Sequence, residues 1–244
     1  YAINLQLMNK QKHVRLFIEE YSKLIMHLDW YPEDEITLNN IHNRLQQRFP
    51  DFLAYTITDT AGTPKLTDFD SLVGQACQND LNDFADKLKR KRGRPGNEIF
   101  IHPQAFNYHY DIMVPLSPGQ ESRIFFASFY LDQIVDILRT HEVPGQSLML
   151  VRQSVPDLIE VTREGARDKI TRDTKLNPDE LSRVGIYENI NGTDWRLVNL
   201  SDEKYEQQFI QTLWHDMLVV LLIVSIALVV LVFVMSKLAE PKKR

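Results

Sequence analysis

The stretch FNYHYDIMVPL, residues 106–116, holds the densest set of side chains able to grip a small molecule. Read as a strand, it puts Tyr108, Tyr110, Ile112 and Val114 on one face and His109, Asp111 and Met113 on the other. Tyrosine offers an apolar body with a polar tip, and a carboxylate such as Asp111 can hold a cation or an amine. Tyr55, on an earlier strand, can complete a wall, and His102 and Arg123 are further contacts. The expected ligand-binding set is therefore Tyr55, His102, Tyr108, Tyr110, Asp111 and Arg123; the competing reading has the tyrosines packing in a core and Asp111 solvated.

Chemistry beyond binding has no signature. A paired histidine motif on a helix, a Gly-x-Ser-x-Gly elbow, a Walker loop and clustered cysteines are all absent from the sequence, so no catalytic residue is expected. The histidines at 13, 27, 42, 102, 109, 141 and 215 show no metal-ligand spacing, although His102 and His109 can approach across neighbouring strands; no metal and no cofactor are expected. Carboxylate pairs such as Asp34 and Glu35 sit in a helix first turn, where the helix dipole accounts for them.

The elements that must position these groups follow from periodicity. From Val14, the residues Phe17, Ile18, Tyr21, Leu24, Ile25 and Leu28 recur at steps of three and four, the mark of a long amphipathic helix. PEDEITLNNIHNRLQQRFP predicts a second helix, opened by Pro32 and closed before Pro50. The period then changes to two. DFLAYTI, NEIFIH, NYHYDIMVPL and SRIFFASFYL read as strands, with Pro118-Gly119 as a hairpin turn and DQIVDILRTH as a following helix. From Pro144-Gly145 the theme restarts: SLMLVR, DLIEVT, the short helix NPDELSRV, then GIYENI and TDWRLVNL joined at Asn191-Gly192.

The stretch Met217–Ser236 has no charged residue in twenty positions, and as a helix it spans ~30 Å, the thickness of a bilayer's hydrocarbon core. Fifteen of the twenty are Leu, Ile, Val or Phe, an insertion term of about −5 to −9 kcal/mol. Lys237, Lys242, Lys243 and Arg244 follow it, whereas residues 202–216 hold Lys204 alone against Asp202, Glu203, Glu206 and Asp216. The positive-inside rule then puts the C-terminus in the cytoplasm and residues up to about 213 outside it. This placement governs the run KLKRKRGR, residues 87–94, with six cationic side chains in a chain of net charge −5. Arg92, Gly93, Arg94 and Pro95 match the core of a minor-groove AT-hook, but DNA is absent outside the cytoplasm, and a helix with a basic last turn ended by Gly93 explains the run. No nucleic-acid partner is expected.

A single cysteine, Cys77, excludes an internal disulfide and suits a bacterial periplasmic domain held by its core alone. Tyr1 is not an initiator residue, which leaves either a preceding membrane span or a cleaved signal peptide open.

With its ITDTAGT strand-turn (Ile57–Gly62 at its centre), its Asn-Gly-Thr-x-Trp strand (Gly192–Trp195), a leading long helix and a trailing helix into a span, the chain resembles the double Cache sensors of bacterial receptors. The resemblance implies an α+β fold: a long N-terminal helix, two PAS-like antiparallel-sheet modules and a C-terminal transmembrane helix. It divides the chain into a dimerisation helix (1–31), a membrane-distal module (32–143), a smaller proximal module (144–201), a juxtamembrane helix (202–216), the span (217–236) and the start of an output linker (237–244). The implied function is extracytoplasmic sensing that drives a histidine kinase, a chemoreceptor or a cyclic-di-GMP enzyme on the cytoplasmic side of the inner membrane. The spaced Arg, Trp, Tyr and Asp set of amino-acid-binding members is not found, so the ligand is left as an unidentified small molecule or periplasmic protein.

Tyr205, Phe209 and Leu213 step by four toward Met217 and are the expected signal-transmitting residues. A homodimer through the N-terminal helix is expected, because an amphipathic stripe must be covered. The alternative reading is a membrane-anchored interaction subunit whose outer part docks a partner protein.

Overall fold

The structure is a computed structural model that describes residues 1–66, 69–90, 99–102, 108–116 and 123–239. Contacts divide it into two units, one formed by Tyr1–Glu142 with Ser147–Leu200 and the other by Val143–Gln146 with Ser201–Arg244.

The first unit mixes helices with antiparallel sheet. Helices α1 (Ala2–Glu20) and α2 (Ser22–Trp30) follow one another with only Tyr21 between them. The sequence predicts one long helix here. The ladder survives the irregular residue, since Tyr21 N–H donates to Phe17 O and Ile25 N–H to Tyr21 O, while the Arg44 guanidinium lies over the Tyr21 ring. Helix α3 (Glu35–Arg48) begins three residues later than its proline suggests, because Asp34 is the better cap: its carboxylate accepts from Ile36 N and Thr37 N.

Strands β1 (Phe52–Ile57), β2 (Ile99–His102), β3 (His109–Pro115) and β4 (Ile124–Tyr130) form a sheet in the order β1-β4-β3-β2. β3 pairs antiparallel with β4 from His109↔Tyr130 to Pro115↔Ile124, as a hairpin requires; the Pro118-Gly119 turn itself lies outside the described residues. Helix α4 (Phe69–Arg90) sits between β1 and β2 in sequence and ends in Lys87, Lys89 and Arg90. The rest of the basic run, including Arg92–Pro95, lies outside the described residues, as do residues 240–244.

This sheet is covered on both faces, which a strict inside-outside alternation does not anticipate. On one face Phe17, Leu28, Ile41 and Leu45 of α1, α2 and α3 pack against Tyr55, Tyr110, Ile112, Phe125 and Phe129. On the other, the α4 stripe Cys77, Leu81, Phe84 and Ala85 packs against Met113, Ile124 and Phe126. The apolar stripe of α1 and α2 is thus covered by the chain's own sheet, and the expectation of a homodimer through that stripe loses its premise. The ITDTAGT turn lies under α4. Gly62 has φ +95°, and a β-carbon there would meet Ala85 Cβ at 3.0 Å and Leu81 O at 3.1 Å, so only glycine lets the helix come this close.

After α5 (Asp132–His141) comes a second sheet of β5 (Gln146–Arg152), β6 (Ile159–Thr162), β7 (Gly165–Ala166), β8 (Val184–Asn189) and β9 (Trp195–Ser201), ordered β7-β6-β5-β9-β8. Helix α6 (Pro178–Arg183) carries a capping box between Asn177 and Glu180. Trp195 is fully buried and joins the larger core. The two-residue strand β7 is too short to leave a periodic signal in the sequence.

In the second unit, α7 (Glu203–Ala239) is one uninterrupted helix of 37 residues. Asp202 caps it, accepting from Lys204 N at 2.9 Å, and its own N–H donates to Gly145 O at 2.9 Å. Its stretch to Met235 is long and apolar enough to cross a membrane, and its apolar side chains are exposed all round.

Candidate functional site

The sheet separates the residues expected to share one pocket. Tyr55 and Tyr110 belong to the face under α1–α3, and their neighbours use them up. Tyr55 stacks on Phe125 at 5.9 Å and its hydroxyl donates to Leu38 O at 3.2 Å; burial pushes that hydroxyl's pKa up. Tyr110 is 1% exposed and packs on Phe129 at 5.6 Å; burial, and then the charge of Asp51, push its pKa well up. Tyr108, just before β3, lies under the Arg167 guanidinium at 5.2 Å, and burial raises its pKa to about 12. Arg167 in turn ion-pairs with Glu160, which is 1% exposed and also bound by Arg152 Nε at 2.8 Å. Arg123 binds Asp29, near the end of α2, together with Lys65, whose ammonium stands 2.5 Å from the Asp29 carboxylate. Backbone register sets His102 opposite His109; the side chain of His102 is not among those described.

Asp111 lies on the other face, beneath α4, and there the structure assembles a cluster. Strand alternation aims His109 and Asp111 the same way, and register sets Ser128 of β4 directly opposite Asp111. The Ser128 hydroxyl donates to Asp111 Oδ1 at 2.6 Å. His109 Nε2 stands 3.6 Å from the same oxygen and 3.3 Å from Cys77 Sγ, which α4 brings down onto the sheet. All four side chains are buried, in a wall otherwise made of Leu81, Phe84, Met113, Ile124 and Phe126. Burial, and then the negative charge of Asp111, push the Cys77 thiol pKa far up, so the thiol there is protonated. A thiol, an imidazole and a carboxylate gathered within 4.8 Å of one another form a donor set able to hold a cation.

Cys77 escapes a reading of the sequence because it lies 32 residues from His109 and a lone thiol carries no spacing pattern. The His-x-Asp pair at 109 and 111 was visible there as one strand face, though not as the partner of a helix. An open cavity of about 210 Å³ lies elsewhere, on the second sheet, lined by residues including Leu176, Tyr187, Arg196 and Val198; among the described residues, none of those expected to bind ligand lines it.

A close contact also lies within the second unit. The turn Val143–Gln146 meets the first turn of α7, where the Tyr205 ring rests on Gly145. A β-carbon on Gly145, which has φ +78°, would fall 2.0 Å from Tyr205 Cδ1. Tyr205, Phe209 and Leu213 are all exposed along α7.

No protein-family model and no curated protein matches the chain. Solved structures do match it, and they are periplasmic or extracellular sensor domains of receptors. The periplasmic domain of Vibrio cholerae LuxQ has 13% identity and a TM-score of 0.47, over 83% of this chain and 96% of that one. The ligand-binding domain of the Pseudomonas aeruginosa PAO1 amino acid chemoreceptor PctB, in complex with L-Arg, has 15% identity and a TM-score of 0.45, over 83% and 89%. The sensor domain of the V. cholerae histidine kinase DctB has 8% identity and a TM-score of 0.45, over 81% and 99%.

Proposed function

We propose that the chain is the extracytoplasmic sensory region of a bacterial membrane receptor. Its site beneath α4 receives a small ligand, and α7 carries the response through the inner membrane to a cytoplasmic output such as a histidine kinase or a cyclic-di-GMP enzyme. The observation that carries this reading is the buried cluster of Cys77, His109, Asp111 and Ser128, four side chains with polar atoms gathered inside an otherwise apolar layer. It occurs in a chain whose last helix is a rod of bilayer length with exposed apolar sides. A docking subunit needs no such dry polar site.

In this reading residues 32–143 form the membrane-distal module and 144–201 the proximal one. The lysines after the span face the cytoplasm, and self-association would use a surface other than the buried stripe of α1. Output is a shift between two arrangements of α7, each favoured by a few kcal/mol according to occupancy. The Gly145–Tyr205 contact fastens the link between α5 and β5 to the first turn of that helix, where a shift would be passed on.

The test is a thermal-shift screen of the full chain in detergent micelles against amines, carboxylates and divalent metals. A ligand that binds the native state raises the melting temperature, by RT ln(1 + [L]/Kd) in free energy. The expected result is at least one compound that stabilises the wild-type chain and not the Asp111→Asn chain. Stabilisation that Asp111→Asn leaves intact would move the site away from α4 and overturn the reading.

A further inference from the structure

We propose that Cys77, His109 and Asp111 bind one divalent transition metal, with zinc the ion their donors suit best. The proposal names the ligand class of the site beneath α4 and rests on the reading of that site as the sensory one.

The donor set is one sulfur, one imidazole nitrogen and one carboxylate oxygen, the three groups from which protein zinc sites are built. Bond lengths of ~2.3 Å to sulfur and ~2.0–2.2 Å to nitrogen and oxygen require donor atoms ~3.3–3.6 Å apart at a tetrahedral centre. The distances are 3.3 Å from Cys77 Sγ to His109 Nε2 and 3.6 Å from His109 Nε2 to Asp111 Oδ1, with all three donors within 4.8 Å of one another. Two of the three donor–donor edges already have the length that a metal's coordination edges require.

The surroundings support the ligands as metal sites do. Ser128 hydrogen-bonds the Asp111 carboxylate from the neighbouring strand and fixes its orientation, the role that outer partners play around metal-bound carboxylates. His109 and Asp111 sit on the rigid central strand of a sheet buried on both faces, and Cys77 comes from the helix packed over it. On binding, zinc enters and the thiol proton leaves to solvent, so the site gains one net positive charge beside a buried carboxylate. Three protein donors leave one position for a water or for an oxygen or nitrogen of a second ligand, the arrangement of zinc sites that do more than hold a fold. Because α4 supplies one donor and the sheet two, the ion ties helix to sheet, and its arrival or departure is a change the fold can report.

The test uses the full chain in detergent micelles under reducing conditions, titrated with cobalt(II). Cobalt bound to a thiolate gives a charge-transfer band, and since Cys77 is the only cysteine, the band has one possible origin. The expected result is that band saturating at one cobalt per chain, bleached by zinc, absent in Cys77→Ser and shifted to at least tenfold higher cobalt in Asp111→Asn. The wild-type titration needs no variant to fold. No thiolate band at one equivalent overturns the proposal, as does a Cys77→Ser chain that binds cobalt as tightly as wild type. The sensory reading is tested separately, by the fluorine NMR signal of 5-fluorotryptophan at Trp214. A chain that binds cobalt as expected while Trp214 stays unchanged keeps the metal site and loses its sensory role.

Discussion

Replacing Lys10 by methionine tests how α1 is fixed to the first sheet. Lys10 and Asp51 form an ion pair whose side chains are 5% and 3% exposed. The ammonium lies 4.9 Å from the centre of the Phe129 ring and 5.4 Å from that of Phe49, so water reaches neither end. Burial pulls the Lys10 pKa down, and the hydrogen bond and charge of Asp51 only partly restore it. Methionine keeps the aliphatic length and the contacts of the lysine stem, so packing changes little. What changes is Asp51, left as a buried anion without its cation, at a cost of about 3–5 kcal/mol. Adding Asp51→Asn removes the stranded charge, so the double variant should recover much of that loss and give a coupling of at least ~2 kcal/mol. Urea unfolding of the full chain in micelles measures this, followed by tryptophan fluorescence. Trp195 is fully buried while Trp30 and Trp214 are exposed, so the signal change comes from the core. A Lys10→Met chain within ~1 kcal/mol of wild type, or a double variant in which the two losses simply add, would refute the argument that this pair is dry and coupled.

Two further outcomes follow from local geometry. Gly145→Ala places a methyl where the Tyr205 ring stands and puts alanine at φ +78°; the left-handed backbone alone costs ~1–2 kcal/mol. Exchange of the Asp202 amide, bonded to Gly145 O, should quicken at least tenfold, and Tyr205→Ala in the same chain should reverse the steric part; an unchanged exchange rate contradicts this contact. At the start of α3, the Thr37 hydroxyl and then His27 hydrogen-bond the Asp34 carboxylate and lower its pKa. A lowered acid pKa contributes stability that is fully present above the unfolded value of ~3.9 and is lost as pH falls through the folded one. The difference in urea midpoint between wild type and Asp34→Asn should therefore be flat above pH ~5 and shrink below pH ~4, and a difference that grows in acid would contradict the sign.

Most of the elements were legible in the sequence because their periods are strong. The β3 and β4 strands alternate cleanly, DQIVDILRTH is a compact amphipathic turn of helix, and Asn191-Gly192 marks its turn between β8 and β9. The candidate site was less legible. Alternation correctly set Tyr110 and Asp111 on opposite faces, but both faces proved to be interior, so polarity along the strand did not reveal which one carries the cluster. The first half of α4 was not predicted although Phe69, Leu72, Val73, Ala76 and Cys77 recur there at steps of three and four, because Gly74 inside the run weakens the helical signal, and with it Cys77 lost the context that gives it meaning. Tyr205 was noted for its four-residue step and Gly145 for its turn; only the fold brings the two into contact.

The central claim is that α7 carries a signal from outside the membrane to an output within. It is tested by joining residues 1–244 to the kinase domain of a histidine kinase and inserting one to seven alanines between Asp216 and Met217. Each inserted residue turns the helix beyond it by ~100°. The account predicts kinase activity that rises and falls with a period near 3.6 residues and returns to the starting level at seven. Activity that stays flat across the series, or declines steadily with length, would contradict it.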